Sequence, residues 1–338
     1  MCKTFCSYPF IQLNITPYVI TPCCATYYDE KTKNDTMYRS MLFNVAWNSP
    51  AWIKFREKIL HDDYSSCQNC TIYKNANSRF ITIEQFSKKY PEYKNAMIDA
   101  FKTGHYNIKY PYILELSFDP TCSLKCITCR DDIINNNYTD NRTVSVHNDF
   151  IYNKLFDYYK NVNGLIIGGD GDSFTSKHYL NILKTDLSKY KLKFINIMTN
   201  VQNFNENTFN KIHPNNIPLL NKISISIDAI NKETYEKVRR NAKYDILLNN
   251  LKFCHKLLLD GTIKKLHSTF TISKENVNEI LEFPDKYIPY GFTSFEFNFA
   301  DFWDFRCKDD SYVIPLNKRS DIIETINQLK LRTDVDIH

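Results

Sequence analysis

From residue 111 onward, short apolar runs rich in β-formers alternate with helical patterns. This alternation constrains the fold more than any other feature of the chain. The strand-like runs are 112–118 (YILELSF), 163–168 (NGLIIG), 193–198 (KFINIM), 222–228 (KISISID), 264–272 (KKLHSTFTI) and 292–298 (FTSFEFN). Helical patterns fall at 148–160, 176–188, 205–213, 231–240, 244–259 and 276–287. Asn231 opens one of them as an N-cap residue, with Glu233 in its first turn. Six strands separated by helices predict parallel α/β winding. Right-handed crossovers then curl the strands into an open sheet or a partial barrel.

The 338 residues include 11 cysteines and only 7 glycines. Glycine averages about 7% in soluble proteins, so a chain this poor in it should use it where nothing else fits. Gly164, Gly168, Gly169 and Gly171 fall together. A content of 43% hydrophobic and 14% aromatic residues excludes bulk disorder, and the length excludes a small disulfide scaffold. The net charge of +5 is dispersed, which gives no basis for a nucleic-acid partner. No apolar run reaches the roughly 20 residues of a membrane span. Met1-Cys2-Lys3 leads into Phe5 and Tyr8 without an apolar signal core. The expectation is a cytoplasmic protein without a membrane contact, whose close cysteine pairs bind metal.

Cys122, Cys126 and Cys129 follow the first strand-like run in a C-x3-C-x2-C spacing. In a parallel α/β barrel that position is the C-terminal mouth, where active sites collect. One loop can wrap three thiolates around a metal centre. Three thiolates leave a tetrahedral zinc site one ligand short, but suit a [4Fe–4S] cluster with one iron open to a small molecule. The alternative is a zinc loop that borrows a distant ligand.

This spacing, on the loop after the first strand, resembles the radical S-adenosylmethionine (radical SAM) superfamily. Thr128 stands where that family usually has an aromatic residue beside the adenine. The resemblance implies a Gly-rich acidic turn after the second strand, to hold the ammonium of SAM. Gly169, Gly171 and Asp172 align with it, Ser173 replaces the usual Pro, and Asp170 is the alternative carboxylate. Met198-Thr199-Asn200 is similar to the Thr-Asn-Gly that ends the third strand, with Val201 in place of Gly. Ser226 and Arg239 match residues that contact the ribose and carboxylate of SAM, with Arg240 as the alternative to Arg239. Thr271–Asn276 matches the fifth strand and its turn.

Cys6, Cys23, Cys67 and Cys70 are similar to the SPASM or twitch auxiliary-cluster module, although here they precede the barrel pattern. They imply one auxiliary [4Fe–4S] cluster, with Cys24 as substitute for Cys23 and Cys2 as a spare or part of a second cluster. A structural zinc site with four cysteines is the alternative. Cys254 falls in a helical pattern and is expected to be packed. Cys307 is expected to be structural, with a barrel-mouth thiol as the alternative.

The resemblance implies an α/β fold: a partial (β/α)6 TIM-like barrel with a small Cys-rich N-terminal domain. The expected divisions are an auxiliary module over 1–85, a linker and helix over 86–110, the barrel over 111–300 and a C-terminal extension over 301–338 that completes it. The implied activity is reductive cleavage of SAM to a 5′-deoxyadenosyl radical, which abstracts hydrogen from a substrate. Expected partners are an electron donor such as flavodoxin or ferredoxin, and a peptide or protein substrate that is crosslinked, epimerised or oxidised. Alternatives are dehydrogenation or rearrangement of a sugar or other small metabolite, and a non-catalytic iron–sulfur electron carrier or sensor.

Overall fold

The computed structural model describes residues 4–16, 20–21, 23, 47–67, 80–106, 108–135, 152–300 and 309–338. Cys2, Cys24, Cys70 and Cys307 therefore lie outside the described residues. The strands, numbered in chain order, begin with β1 (Thr4–Cys6), β2 (Gln12–Ile15), β3 (Ile20–Thr21) and β4 (Phe80–Thr82). The repeating part supplies β5 (Ile113–Leu116), β6 (Gly164–Ile167), β7 (Phe194–Thr199), β8 (Leu220–Ser226), β9 (Lys265–Ile272) and β10 (Phe292–Phe299), and β11 (Asp336–Ile337) follows.

β5 to β10 pair in chain order, and every one of these pairings is parallel. This mixed α/β fold with a parallel sheet is what the alternating sequence pattern predicts. One face of each strand is aliphatic or aromatic: Leu165, Ile167, Ile195, Ile197, Ile223, Ile225, Leu266 and Phe270 are all buried. Polar side chains close the helix starts. Ser176 accepts from the Tyr179 N–H at the head of Lys177–Lys184, and Asn231 accepts from the Thr234 N–H at the head of Lys232–Val238. Tyr244–Leu259 occupies the whole of the helical pattern read there, with Cys254 fully buried.

Two features depart from the sequence pattern. The run 276–287 is not one helix but a turn at Val277–Glu279 and a separate helix, Phe283–Tyr287. Pro284 lacks an N–H donor and sits in the first turn of the second piece, where that lack costs least. The pattern at 205–213 is reduced to Glu206–Phe209, because Pro214 opens a 3₁₀ segment. The stretch 86–110, expected as a helix and a linker, contains the helix Lys94–Thr103 and packs closely. Phe86, Tyr90, Tyr93, Met97 and Ala100 are buried, and Phe86 and Phe101 both pack on Phe5.

The N-terminal segment does not stand apart from the sheet. β2 pairs in parallel with β5, from Gln12 beside Ile113 to Ile15 beside Leu116, and β3 pairs antiparallel with β2 at the edge. The described part of 1–85 thus shares one sheet with the barrel pattern. Among the described residues, only β1 and β4 form a separate two-stranded ribbon. Arg56, fully buried on the helix Pro50–Leu60, fastens this region. It donates to the carbonyls of Pro9 (2.6 Å) and Trp47 (2.7 Å), and its guanidinium lies 4.0 Å from the Trp47 ring centre. At the other edge β11 pairs in parallel with β10.

Candidate active site

Beyond β5 the chain enters its cysteine loop through Asp119, a buried carboxylate that orders the entrance. One oxygen accepts from the Thr121 N–H (3.0 Å) and hydroxyl (2.6 Å). The other accepts from Ser176 (2.5 Å) and faces His178 Nδ1 at 2.7 Å. Burial pushes the Asp119 pKa up, but the hydrogen bonds from His178, Ser176 and Thr121 outweigh it and hold the carboxyl below its ordinary value.

Backbone bonds fix the loop itself. Cys122 N–H donates to Ile134, Lys125 N–H to Arg240, and Ile127 N–H to Val238. Cys122, Cys126 and Cys129, each half-buried, face one cavity of about 310 Å³. Each sulfur has a side-chain N–H donor from outside the triplet. Asn200 Nδ2 lies 3.6 Å from Cys122, Arg239 lies 3.9 Å from Cys126, and Arg130 Nε lies 3.3 Å from Cys129. Burial raises the Cys122 thiol to about 11, with the Asp172 charge adding to the rise. Burial likewise raises Cys126 to about 12, against the pull of Arg239. A metal centre here must displace those protons as it binds.

Among the described residues no group of three His, Cys, Asp or Glu side chains is set to hold a single metal ion. The donor set on this cavity is three soft sulfurs, each with a positive or amide N–H beside it. That chemistry fits a thiolate-bound iron–sulfur cluster with one position open to the cavity.

The glycine turn forms the adjoining wall, where Gly169, Asp170, Gly171 and Asp172 line the cavity. Gly169 has φ of +129°, a conformation that strains any residue with a Cβ. Gly171 serves differently. A Cβ there would stand 2.3 Å from the Asp119 carbonyl oxygen and 2.6 Å from that of Thr121. Its bare Cα lets the turn press onto the cysteine loop. Asp172 is buried and accepts four hydrogen bonds: from Thr199 Oγ1 (2.8 Å), Asn200 N–H (2.8 Å), Phe174 N–H (3.0 Å) and Thr175 Oγ1 (3.1 Å). Its Oδ2 joins the turn to the end of β7, and its Oδ1 holds the residues that follow the turn. Asp170 is only half-buried on the same wall.

The ends of β7, β8 and β9 complete the enclosure with Met198, Asn200, Ser226, Asp228 and Thr271. Val201, where the resemblance has Gly, carries φ of +54°, so the backbone keeps the glycine-type turn with a β-branched residue in it. Asp228 pairs with Arg239 at 2.6 Å and accepts from the Thr271 N–H at 2.6 Å. Burial works to lower the Arg239 pKa, but Asp228 and Cys126 outweigh it and keep the guanidinium charged. Arg239 lines the cavity, whereas Arg240 is exposed and meets the loop through its backbone. Asn276 is buried and bonds to the Asp228 and Thr271 carbonyls, which braces the same strand ends.

The cavity therefore brings together Cys122, Cys126, Thr128, Cys129, Gly169, Asp170, Gly171, Asp172, Asn200, Ser226 and Arg239, which are the barrel residues singled out in the sequence. The sequence reading missed Arg130, Asp119 and Asp228. Arg130 directly follows the third cysteine, and its guanidinium donates to the Cys129 sulfur and to the carbonyls of Pro120 and Asp170. Asp228 could have been found as a lone carboxylate ending an apolar strand run, which is costly without a partner.

Cys6, Cys23 and Cys67 do not line this cavity. Cys6 ends β1, and Cys67 N–H donates to the Tyr64 carbonyl at 2.8 Å. Burial raises the Tyr64 pKa, and both Cys6 and Cys67 act on its hydroxyl. Cys23 accepts a hydrogen bond from Thr21 through its carbonyl, at 2.7 Å.

No protein-family profile matches the sequence, and no curated protein does. Several solved structures are similar to it. Streptococcus suis SuiB matches at 14% identity, over 87% of this chain and 62% of that one, with a TM-score of 0.49. SuiB bound to precursor peptide SuiA matches at 14% identity, over 88% and 63%, with a TM-score of 0.49. Native anSMEcpe with bound AdoMet matches at 11% identity, over 67% and 62%, with a TM-score of 0.45. The chain thus spans about three fifths of the SuiB chain. Among the described residues no helix is long and apolar enough to cross a membrane.

Proposed function

We propose that this chain is a radical SAM enzyme, with its reaction centre in the cysteine cavity. One observation carries the reading: three cysteine sulfurs, each with its own N–H donor, share a single cavity with the glycine turn and the ends of β7 and β8. Cys122, Cys126 and Cys129 would hold a [4Fe–4S] cluster, leaving one iron for the amino and carboxylate groups of SAM. Bound together, cluster and SAM supply one-electron cleavage of the sulfonium and a 5′-deoxyadenosyl radical able to take hydrogen from an unactivated C–H bond.

The chain's own residues hold, orient and enclose. Asn200, Arg239 and Arg130 donate to the sulfurs, which disperses thiolate charge and favours the reduced state. Asp170 and the carbonyls of the turn meet the amino N–H groups of SAM; Asp172 supports them from behind, its oxygens already bonded. Ser226 lies at the ribose and Thr128 beside the adenine. Arg239, fixed by Asp228, keeps a positive charge at the cavity wall for the SAM carboxylate. Enclosure by the strand ends limits water at the reacting carbon and sets the distance to the substrate.

The substrate expected first is a peptide or protein. A sugar or other small polar metabolite stands beside it, because Ser224, His267 and Glu296 give the sheet a polar inner face. An auxiliary cluster on Cys6, Cys23, Cys67 and Cys70 is part of the proposal, supported by their pattern in the sequence. The electron enters from a donor such as flavodoxin or ferredoxin.

Metal analysis tests the assignment. Anaerobically reconstituted protein should lose about four irons per chain in the C122A/C126A/C129A variant, the content of one cubane cluster. Unchanged iron and absorbance would contradict it. Residual zinc without iron in that variant would mark the N-terminal site as structural zinc.

A further inference from the structure

Below Ser226 the inner face of the sheet carries polar side chains that the cofactor reading does not use. Ser226 lines the cavity at the end of β8, and the two-residue period of a strand puts Ser224 and Lys222 on the same face. The register aligns Ser224 with His267 and Ser226 with Thr269 on β9, then His267 with Ser294 and Thr269 with Glu296 on β10. Hydrogen bonds join these side chains across the strands. Thr269 Oγ1 donates to Ser226 Oγ at 3.1 Å, and His267 meets Ser294 Oγ at 2.9 Å and Glu296 at 3.4 Å. On β5, Glu115 accepts from Gln12 of β2.

A closed parallel barrel fills this face with branched aliphatic side chains. Here the aliphatic residues of β8 and β9, such as Ile223, Ile225 and Leu266, lie on the opposite face. The inner face carries hydroxyls, an imidazole, an ammonium and carboxylates instead.

Two groups on it want for a partner. Lys222 is half-buried and makes no hydrogen bond or ion pair among the described residues. Burial lowers its pKa, while the charges of Glu296 and Glu115 oppose that fall. Asn14, level with Glu115 in the register, is buried with its Oδ1 unbonded among the described residues. A half-buried ammonium without a partner and a buried amide oxygen left unbonded both gain from a ligand that satisfies them.

We propose that the polar inner face of the sheet, running from Ser226 down to Lys222, is the substrate chamber and that it takes a hydroxy- or amino-carboxylate. The carboxylate pairs with Lys222, and hydroxyl or amino donors face Glu115, Glu296 and Asn14. Such a group can belong to a small acid or to an acidic residue of a peptide. This rests on the radical SAM reading for the reaction, but not for the binding.

Saturation-transfer NMR on the full chain tests it with four probes: D-glucuronate, D-glucose, and a blocked pentapeptide containing either Glu or Gln. The account expects binding of glucuronate or of the Glu peptide, at least tenfold weaker binding of the uncharged counterpart, and at least tenfold loss in Lys222→Met with retention in Lys222→Arg. Glucuronate alone identifies a small acid, and the Glu peptide alone an acidic peptide. Binding of neither anionic probe, or binding that is equal for charged and uncharged probes or unchanged in Lys222→Met, overturns the proposal. If Lys222→Met does not fold, the charged-versus-uncharged comparison on the unmodified chain decides alone. 5′-Deoxyadenosine release, measured separately without these probes, separates the two claims. Its absence with anion binding intact removes the radical reading only, and its presence without anion binding removes the chamber only.

Discussion

Arg130 Nε stands 3.3 Å from the sulfur of Cys129, the residue immediately before it, while the rest of its guanidinium donates to the carbonyls of Pro120 and Asp170. One buried side chain thus joins the entrance of the cysteine loop, its last thiol and the glycine turn. Arg130→Lys cannot serve three acceptors in one plane. It should destabilise the protein by about 2–4 kcal/mol, as expected when buried acceptors lose a charged donor. Denaturant unfolding of the metal-free chain measures this. In loaded protein the same variant should lower the cluster's reduction potential, and an unchanged potential would remove Arg130 from its proposed part in tuning.

The two carboxylates of the glycine turn should separate cleanly. Asp172→Asn turns an NH₂ group toward donors that now bond to oxygen, and should cost about 2–3 kcal/mol of stability. Asp170→Ala, at a half-buried position beside Arg130, should cost less stability than Asp172→Asn, yet weaken SAM binding at least tenfold. Calorimetric titration with SAM, alongside unfolding of both variants, checks the pair. Equal SAM affinity in Asp170→Ala and the parent chain would move the amino-group contact elsewhere.

Much of this site was legible because the chemistry sits in contiguous motifs. The cysteine spacing and the four-residue turn place their side chains locally, and alternating strands bring the two together at one sheet end. What escaped depended on distant packing. Gln12–Ile15 reads as part of a Cys-rich module, but its partner in the sheet is β5, a long-range pairing that four residues do not announce. Asp172 matched a ligand position, and only its four donors, two of them supplied from the end of β7, reveal that it braces the turn. The 86–110 stretch reads as a helix and a linker, and only long-range contacts show how Phe86, Tyr90, Tyr93 and Met97 are buried.

Glycine substitutions test the distinction between close packing and backbone conformation. Gly171→Ala drives a Cβ to 2.3 Å from the Asp119 carbonyl oxygen, whereas at Gly261, with φ of +77°, a Cβ meets nothing within 4 Å. The first should cost about 2–3 kcal/mol through overpacking, and the second about 1 kcal/mol through left-handed strain alone. Thermal unfolding of the two variants should show that order, with iron loading impaired only in Gly171→Ala.

Acid should reveal Asp119. Its folded pKa lies below 3.8, the ordinary value it regains on unfolding. A depressed carboxylate contributes stability that is complete above the unfolded pKa and is lost as pH falls through the folded one. The acid limb of the stability curve, below about pH 4, should therefore be shallower in Asp119→Asn than in the parent chain. Parallel limbs in urea titrations between pH 2 and 5 would show that Asp119 is not held by the His178, Ser176 and Thr121 bonds.

The central claim is that Cys122, Cys126 and Cys129 carry a cluster that cleaves SAM. Anaerobically reconstituted chain, given dithionite and SAM, should release 5′-deoxyadenosine in amounts measurable by mass spectrometry, and the C122A/C126A/C129A variant should release none. Iron-loaded chain that binds SAM but yields no 5′-deoxyadenosine, or a triple variant that yields as much as the parent, would contradict the account.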